Sequence, residues 1–282
     1  MACKNFLNLQ EKCVIITGAS AGIGEATALE FARQNCNLML CGRDKKNLEN
    51  VSANCLKEGD NITVQTTIGD ITESAVQKKI VENTIAAFGG IDILNTIAAF
   101  GGIDILVNNA GMNILRDAFT AKPEDYHQIM STNLESVFFL TQQALPHLIK
   151  SKGTIINVSS IASERPFPKA IVYCMSKAAL DSYTKSLALE LAPYGVRVNS
   201  VNPGSVVSQL YKRGKEAFSE EKYSKFKKYQ SSPALHPLGR MVLASEVADG
   251  IVFLASERAS FLTGQMIFVD GGRHVASPQP KL

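Results

Sequence analysis

The sequence lacks three features that would point to particular classes of protein. No stretch reaches the roughly 18 consecutive apolar residues that a membrane-spanning helix needs, and residues 1–10 hold no apolar run of the kind found in a signal peptide. An excess of one charge is also missing, because 29 Lys and Arg residues against 26 Asp and Glu residues leave a formal net charge of +3. So small and dispersed a charge argues against a nucleic-acid surface. We therefore expect a soluble, intracellular chain.

Cysteine and histidine are present, but without the spacing of a disulfide framework or a metal site. None of the six cysteines forms a CxxC pair, and several lie within apolar runs, as buried free thiols do. The four histidines are scattered, with no ligand pair at i, i+4. The sequence thus predicts no metal site and six reduced core cysteines, which are Cys3, Cys13, Cys36, Cys41, Cys55 and Cys174.

The hydrophobic pattern alternates between short apolar runs and longer helical segments. With 282 residues, 45% of them hydrophobic, the chain is long enough for one large α/β domain, residues 1–282. Each apolar run but the last is followed by a helical or irregular connection, beginning with helices at about 22–34 and 45–56. Runs that are apolar on both faces belong in a parallel sheet covered by helices. We predict a doubly wound (Rossmann) parallel seven-stranded sheet with helices on both faces and strands at 13–17, 37–41, 62–67, 103–108, 154–159, 197–202 and 266–269.

A tandem repeat interrupts this pattern. Residues 83–94 read NTIAAFGGIDIL, and residues 95–106 repeat the same twelve residues without a difference. Only the second copy runs directly into Val107, so we assign the strand to that copy. The extra residues then prolong the preceding helix or form a loop, and Gly89-Gly90 disfavours an unbroken helix by about 1 kcal/mol per glycine. We expect a partly apolar surface insertion that lowers stability without removing the site, with a new partner surface as the alternative.

Residues 209–236 differ from the rest of the chain because they are rich in Lys, Glu, Tyr and Phe. They predict one or two amphipathic helices that form a mobile lid over a substrate. A solvated charged face is equally compatible with this composition.

A glycine-rich turn follows the first predicted strand and reads Thr17-Gly18-Ala19-Ser20-Ala21-Gly22-Ile23-Gly24. Gly18 permits a tight turn, Gly22 lets the backbone approach a pyrophosphate, and Gly24 lets the helix pack closely on the strand. A glycine-rich turn alone is a weak sign of nucleotide binding. The spacing TGxxxGIG, which differs from GxGxxG, resembles that of the short-chain dehydrogenase/reductase family.

A serine, a tyrosine and a lysine provide a second match. Tyr173 and Lys177 are four residues apart on a predicted helix, so both project from one face. A nearby ammonium stabilises a phenolate and lowers the tyrosine pKa from about 10, which suits the tyrosine to acid–base work near neutral pH. Ser160 lies thirteen residues before Tyr173, and the three resemble the family's Ser…Tyr-x-x-x-Lys arrangement. The adjacent Ser159 is expected to be structural.

Further segments extend the resemblance. Asn108-Asn109-Ala110-Gly111 looks like the family's NNAG, which implies a segment that fixes the central strand and borders the cofactor. Asn133 matches the family's helix asparagine, which holds a water between its backbone and the lysine in a proton relay. Asn202-Pro203-Gly204 with Ser208 is similar to the family's PG loop, where Thr is usual at the last position, and residues 261–265 and 269–272 match its last strand and turn. The resemblance runs from about residue 8 to residue 272, interrupted by the repeat.

The end of the second strand indicates the cofactor. An acidic residue there accepts a hydrogen bond from the ribose 2′-hydroxyl of NAD, and a basic residue meets the 2′-phosphate of NADP. Gly42 occupies the acidic position, and Arg43 follows, where the family's NADP enzymes often carry Arg. Ala21 counts against NADP, because many NADP enzymes have a second basic residue at its position. Asp44 is a rival acidic residue, but we expect it to cap the next helix. We therefore favour NADP(H), with NAD(H) as the alternative.

The resemblance also implies the full set of site residues. Asp70 resembles the acidic residue that contacts the adenine amino group. The implied cofactor-binding residues are Gly18, Ser20, Ala21, Gly22, Ile23, Gly24, Arg43, Asp70, Ile71, Asn109, Ala110, Gly111, Tyr173, Lys177, Pro203, Gly204, Val206 and Ser208. The implied catalytic residues are Asn133, Ser160, Tyr173 and Lys177.

The implied activity is hydride transfer between the nicotinamide C4 and a carbonyl carbon. Tyr173 would give the proton to the forming alkoxide, Ser160 would orient the oxygen, and Lys177 would lower the tyrosine pKa and bind the nicotinamide ribose. With NADPH as donor, we expect reduction of a ketone or aldehyde, the reverse being oxidation of the corresponding secondary alcohol. Residues 112–115, 161–172 and 209–236 would select the substrate, with small or aromatic carbonyls, 3-oxoacyl thioesters and lipophilic ketones such as steroids as candidates.

Two other readings stay open. A non-catalytic NADP(H)-binding sensor would usually have lost Tyr173 or Lys177, and both are present. A catalytically impaired NADP(H)-binding protein would result if the repeat disturbed the register of the central strand. The resemblance implies a homo-oligomer, a tetramer or dimer, with a small-molecule substrate and no nucleic-acid or membrane partner. Pro280-Lys281-Leu282 is a poor match to the peroxisomal SKL signal, so the cytoplasm is the default location and the peroxisome the minor alternative.

Overall fold

The computed structural model describes residues 6–89, 102–207 and 218–277. Some of the sequence predictions lie outside these ranges. They concern Cys3, residues 90–101 of the repeat, Ser208, residues 209–217 of the predicted lid, and the C-terminal Pro280-Lys281-Leu282.

A parallel seven-stranded sheet organises the described residues, in the order β3-β2-β1-β4-β5-β6-β7. The chain winds outward from β1 to β3 and then returns to place β4 beside β1. Open α/β sheets bind ligands at this switch point, in the crevice outside the carboxyl ends of the strands. The strands are β1 Cys13–Thr17, β2 Asn37–Gly42, β3 Val64–Ile68, β4 Ile105–Asn108, β5 Thr154–Val158, β6 Arg197–Pro203 and β7 Met266–Val269.

Helices cover both faces of the sheet, which confirms the predicted doubly wound architecture. One apolar core joins the sheet to α1, α2 and α8, with Phe31, Leu48 and Ile251 fully buried. The other joins it to α3, α5 and α6, through residues such as Ile80 and Leu140. The helices are α1 Gly22–Arg33, α2 Lys45–Glu58, α3 Ser74–Phe88, α4 Pro123–Met130, α5 Ser136–Ser151, α6 Ile171–Leu191, α7 Glu220–Gln230 and α8 Ala244–Ala255.

A predicted strand is longer than the observed one where buried residues lie beyond the hydrogen-bonded part of the strand. The predicted fourth strand starts at Ile103, which is fully buried, but β4 pairs only from Ile105. Between them, the Asp104 carboxylate accepts hydrogen bonds from the Cys13 backbone and the Lys12 ammonium. A continuous apolar run in sequence thus includes residues that are buried by side-chain packing alone.

The repeat is divided between a helix and a strand. The first copy supplies the end of α3, where Asn83 donates to the Thr67 hydroxyl at 3.0 Å and the helix ends at Phe88 with Gly89 as cap. The second copy supplies β4, as predicted, with Ile105 in register with Val14 and Thr154. The described parts, residues 83–89 and 102–106, together amount to one copy. The central strand therefore keeps parallel register with both neighbours.

The described part of the predicted lid, residues 218–236, contains the amphipathic helix α7. The Ser219 hydroxyl caps it by accepting from the Lys222 backbone at 3.2 Å. Residues after the helix turn inward and end at His236, which is fully buried.

Cysteine burial agrees with the sequence prediction for the five described cysteines. Cys13, Cys36, Cys41, Cys55 and Cys174 are all buried free thiols. In the described ranges, no helix combines the length and apolar character needed to cross a membrane. The same ranges contain no group of three metal-ligating side chains.

Candidate active site

A cavity of about 310 Å³ lies at the carboxyl ends of the strands. It begins at Arg43 after β2, passes the glycine-rich turn at the switch point and reaches Tyr173 and Lys177 on α6. The volume falls within the range of small-molecule sites. The predicted cofactor residues that line it are Gly18, Ser20, Ala21, Gly22, Ile23, Arg43, Asp70, Ile71, Asn109, Ala110, Gly111, Tyr173 and Lys177.

The glycine-rich turn has the backbone that a phosphate-binding turn needs. Gly18 and Gly22 adopt φ values of +65° and +62°, where residues with a Cβ are strained. A Cβ on Gly24 would collide with the Gly18 carbonyl oxygen and lie 2.6 Å from Asn109 Nδ2, so this glycine lets α1 pack against the turn. Ala21 caps α1 without a side-chain hydrogen bond, which leaves first-turn N–H groups to a ligand. Such a helix N-terminus favours an anionic ligand.

The turn after β4 is fastened to the glycine-rich turn. Asn109 Nδ2 donates to the carbonyl oxygens of Thr17 and Gly18 at 2.8 and 3.2 Å. In return, the Thr17 hydroxyl accepts from the backbone N–H groups of Asn109 and Ala110, each at 3.0 Å. The two strand ends at the switch point are therefore held as one rigid wall of the cavity.

The opposite end of the cavity carries the groups that would select the cofactor. Arg43 is 71% exposed and forms an ion pair with Asp70, with Nη1 3.2 Å from Oδ2. The Asp44 carboxylate accepts from the Asn47 backbone at 3.0 Å and caps α2, as expected. Gly42 leaves space, because a Cβ there would meet Ser20 and Leu48 only at ordinary contact distances of 3.4 Å and longer. Of the charged groups at this end, Asp44 thus caps its own helix, whereas the exposed Arg43 is paired with Asp70.

Tyr173 and Lys177 lie one turn apart near the start of α6. Lys177 Nζ is 5.8 Å from the centre of the Tyr173 ring and donates to the Val158 carbonyl at 2.8 Å. Burial lowers the pKa of Lys177 from 10.5 to about 8, and the Asp181 carboxylate opposes this effect. The structure therefore brings together a partly buried phenol and a buried amine beside the cavity, as the spacing predicts.

The two adjacent serines differ from the sequence expectation. Ser159, expected to be structural, lines the cavity, and its hydroxyl donates to the Lys177 carbonyl at 3.4 Å. Ser160 does not line this cavity. It caps the short 3-10 helix Ile161–Ser163, with its hydroxyl accepting from the Ala162 backbone at 3.1 Å. Ser160 was chosen by its spacing to Tyr173 and by the expected end of the strand, and neither fixes the direction of a hydroxyl after the strand has ended.

Asn133 lies in a π-helical turn, Ser131–Glu135, between α4 and α5. Such turns interrupt the regular helical ladder and are frequent at functional sites. Its side chain is fully buried and clamps Met112, with Oδ1 accepting from the Met112 N–H at 2.8 Å and Nδ2 donating to the Met112 carbonyl at 2.9 Å. Nδ2 also lies 3.1 Å from the Ser176 hydroxyl. Asn133 thereby ties the turn after β4 to α6, a contact that sequence spacing does not show.

The loop after β6 lies outside the cavity and contacts His236. Gly24, Pro203, Gly204 and Val206 do not line the cavity, although the resemblance placed them among the cofactor residues. A Cβ on Gly204 would lie 2.8 Å from His236 Nε2, which accepts from the Ser205 N–H at 3.2 Å. His236 Nδ1 donates to the Gln230 carbonyl at 2.6 Å, an assignment that follows from its partners. The end of α7 is thus tied to the Pro203-Gly204 loop.

Ten cavity residues lie outside the implied cofactor-binding and catalytic sets, although Met112 was expected to help select the substrate and Gly42, Asp44 and Ser159 were considered for other roles. The ten are Thr17, Cys41, Gly42, Asp44, Gly69, Ile80, Met112, Thr132, Val158 and Ser159. Thr17, Gly42 and Val158 are the last residues of β1, β2 and β5. The rule that ligands bind at the carboxyl ends of parallel strands would have found these three.

Comparisons with known proteins agree with this geometry. A family model described as short chain dehydrogenase matches residues 12–217. The 3-oxoacyl-[acyl-carrier-protein] reductase FabG of Thermotoga maritima is 35% identical, over 94% of this chain and 99% of the reductase. Glucose 1-dehydrogenase of Gluconobacter oxydans is 34% identical, over 93% of this chain and 91% of that enzyme. A crystal structure of a Caenorhabditis elegans short-chain dehydrogenase/reductase of unknown function, with cofactor, superposes with a TM-score of 0.84 at 35% identity, covering 95% and 97% of the two chains.

Proposed function

Because the chain belongs to the short-chain dehydrogenase/reductase family, we propose that it is an NADP(H)-dependent oxidoreductase that reduces a ketone or aldehyde, or oxidises the corresponding secondary alcohol. One observation carries the proposal: a single cavity joins Arg43, the glycine-rich turn and the Tyr173–Lys177 pair. The fit to a dinucleotide rests on the open first turn of α1 and on the glycines whose Cβ atoms would fill its cradle.

The proposed chemistry assigns a separate task to each side chain. A bound nicotinamide supplies or takes up the hydride. Tyr173 gives its phenolic proton to the oxygen of the reduced carbonyl, and the Lys177 ammonium stabilises the phenolate that remains. Ser160 follows the cavity residue Ser159, and its hydroxyl accepts from the Ala162 N–H, so its own proton can be directed to that oxygen and orient it. Asn133 fixes Met112 and α6 around the reacting groups and keeps the proton relay in place.

Removing the phenolic oxygen of Tyr173 tests the proposed chemistry. Tyr173→Phe should keep NADPH binding but lose NADPH oxidation with every ketone and aldehyde of a panel, by a factor of about 100 or more. Tyr183→Phe is the matched control, because the same change lies ten residues further along α6, on a residue that does not line the cavity. A Tyr173→Phe variant as active as the control would contradict the proposed function.

NADP(H) is the proposed cofactor because Arg43 lines the cavity while the neighbouring Asp44 is held as a helix cap. In nucleotide fluorescence titrations, the wild type should bind NADPH more tightly than NADH. Arg43→Asp should weaken NADPH binding, by about tenfold or more for a lost charge-assisted pair. Gly42→Asp places a carboxylate where a Cβ fits and should improve NADH binding. Tighter binding of NADH than of NADPH by the wild type would instead favour NAD(H), and equal affinities for the two nucleotides in all three proteins would favour dual use.

An apolar cluster beside Tyr173 favours lipophilic carbonyls among the candidate substrates. Ala162, Ala170 and Cys174 are buried there, with Leu115, Phe167 and Tyr173 packed against them. The names of the relatives include a 3-oxoacyl thioester and a sugar. A substrate with an apolar chain or ring would bury surface against the cluster, so the panel should show higher kcat/KM for medium-chain and aromatic ketones than for sugars.

We also propose that the chain forms a homo-oligomer, a dimer or tetramer, through the α5 and α6 face. Phe138, Phe139, Ile171 and Met175 are each between 42% and 48% exposed on these two helices. Light scattering should give at least twice the mass of one chain, and Phe139→Glu should reduce it. A monomer at micromolar concentration would contradict this proposal.

A further inference from the structure

A buried polar cluster lies next to the segments that carry Ser160 and Lys177, at the carboxyl ends of β5 and β6. Its core consists of Asp181 on α6 and of Ser200 and Asn202 on β6, exposed by 6% or less. Burying a carboxylate between a helix and a sheet is costly unless it is hydrogen-bonded. Packing alone therefore does not account for Asp181 at this position.

Hydrogen bonds connect this cluster to Ser160 and Ser163. Asp181 Oδ2 accepts from the Asn202 amide at 2.7 Å, and the Ser200 hydroxyl lies 3.3 Å from Oδ1. The same Asn202 amide nitrogen lies 3.2 Å from the Ser160 carbonyl oxygen and 3.1 Å from the Ser163 hydroxyl. The Ser200 hydroxyl also contacts Asn202 Oδ1 at 2.6 Å, which fixes the orientation of the amide. One carboxylate thus connects α6 and β6 with the backbone of Ser160.

Asp181 also lies one helical turn beyond Lys177 on α6, so the two side chains share a helix face. The elements packed around Lys177 otherwise present uncharged groups: the Val158 carbonyl from β5, the Gly111 turn, and the titratable phenol of Tyr173. Among the described residues, Asp181 is the charged side chain that acts on the Lys177 pKa, and its effect is to raise it.

We propose that Asp181 is a positioning residue of this active site, whose carboxylate fixes the backbone of Ser160 through the Asn202 amide and whose charge lies one helical turn from Lys177. The inference rests on the proposed function, because it assigns Asp181 a task only if Ser160 and Lys177 take part in the reaction. Two separable effects follow, one of geometry through Asn202 and one of charge through Lys177.

The charge effect has a defined sign. Without the carboxylate, Lys177 loses its proton at a lower pH, and a neutral amine does not stabilise the Tyr173 phenolate. Alcohol oxidation needs the phenolate, so its rise with pH should move to higher pH in Asp181→Asn. A unit charge one turn away produces a shift of about half a pH unit even at the dielectric of water, and more in a buried site. Loss of the geometric effect, the fixing of Ser160 through Asn202, should lower kcat without moving the pH midpoint of alcohol oxidation.

The experiment compares three variants with the wild type, using the alcohol that the wild type oxidises fastest. Asp181→Asn should lower kcat and move the pH midpoint. Asn202→Ser, which keeps the charge, should lower kcat about tenfold with the midpoint unchanged. Asp104→Asn is the matched control, since it removes a hydrogen-bonded carboxylate at the other end of the sheet and should leave the midpoint unchanged.

A second readout needs no activity and no substrate. An NMR titration of isotope-labelled lysine side chains, with the Lys177 signal assigned by its absence in Lys177→Met, reports the Lys177 midpoint directly. The midpoint should fall in Asp181→Asn and stay unchanged in Asn202→Ser. Unchanged midpoints in Asp181→Asn by both readouts, or full kcat in Asn202→Ser, would overturn the inference. Were Asp181→Asn not to fold, the Asn202→Ser kcat would still decide. Retention of activity by Tyr173→Phe would overturn the proposed function instead, so the two failures are distinguishable.

Discussion

Replacing Lys177 by Met should make the protein more stable while it abolishes the proposed chemistry. Lys177 is buried, and its pKa falls from 10.5 to about 8 because burial disfavours the charged form. That difference corresponds to about 3 kcal/mol against the charged form of Lys177 at neutral pH, and the attraction of Asp181 is already included in it. Methionine has a similar volume and no charge, but it leaves the Val158 carbonyl without its donor, which costs about 1 kcal/mol. We expect a net gain of about 1–2 kcal/mol.

The pH dependence of this gain is the sharper part of the prediction. Between about pH 8 and 10.5, Lys177 is protonated in the unfolded chain but not in the folded one. The unfolded state then binds more protons, so the stability that this group contributes rises with pH across that window. The advantage of Lys177→Met should therefore be largest below pH 8 and disappear, or change sign, towards pH 10.5.

Urea denaturation of both proteins without cofactor, at several pH values across this window, measures the difference directly. Each midpoint is converted to a free energy of unfolding with its own slope. Taking the difference between the proteins removes the contribution of all other titrating groups. A Lys177→Met variant that is less stable than the wild type at neutral pH, or a difference that does not change with pH, would refute the reasoning.

Three further predictions concern the repeat, the glycine-rich turn and a surface ion pair. Deleting residues 90–101 leaves one copy and joins the described end of α3 to β4, so NADPH affinity should stay within about a factor of two; loss of binding would show that the repeat is needed. Gly24→Ala should lower the urea midpoint by the equivalent of about 2 kcal/mol or more and weaken NADPH binding, because its Cβ collides with the Gly18 carbonyl, whereas Gly102→Ala, with 3.5 Å of clearance, serves as the control. Hydrogen bonds from Arg240 and the Leu243 backbone lower the Glu246 pKa from 4.5 to about 2, so Glu246→Gln should cost about 1 kcal/mol at neutral pH after allowance for its exposure. The Glu246 contribution is complete above pH 4.5 and disappears as the pH falls through about 2, so urea midpoints of the two proteins should converge over that range.

The sheet was predictable from the sequence because its strands are apolar on both faces and alternate with helical segments. β1 and β7 have the predicted bounds. The glycine-rich turn was recognised from its spacing and led to the family resemblance, and Tyr173 and Lys177 from their i, i+4 spacing and that resemblance; all three line the cavity. These are local features, since a turn glycine or an i, i+4 pair is defined by residues that are neighbours in the chain.

The parts that escaped prediction depend on contacts between distant segments. Ser159 lines the cavity and Ser160 does not, although Ser160 was the expected site residue. The turn into the 3-10 helix sets the direction of both side chains. The relay assigned to the Asn133 backbone stays a prediction, whereas the contact of its side chain with Met112, 21 residues away, was not foreseen. Asp181 reads in sequence as one polar residue on a helix, and only the fold brings Asn202 within 2.7 Å of it. The repeat was correctly divided at the strand, because only its second copy continues into Val107.

Transfer of deuterium to a carbonyl carbon from NADPH that carries deuterium at both C4 positions tests the central claim most directly. The wild type and Tyr173→Phe are incubated with the labelled cofactor and the carbonyl panel, and the product alcohols are analysed by mass spectrometry. The account predicts deuterium on the carbinol carbon of at least one product with the wild type and none above background with Tyr173→Phe. Labelled product in equal amounts from both proteins, or no labelled product from a wild type that binds NADPH, would contradict it.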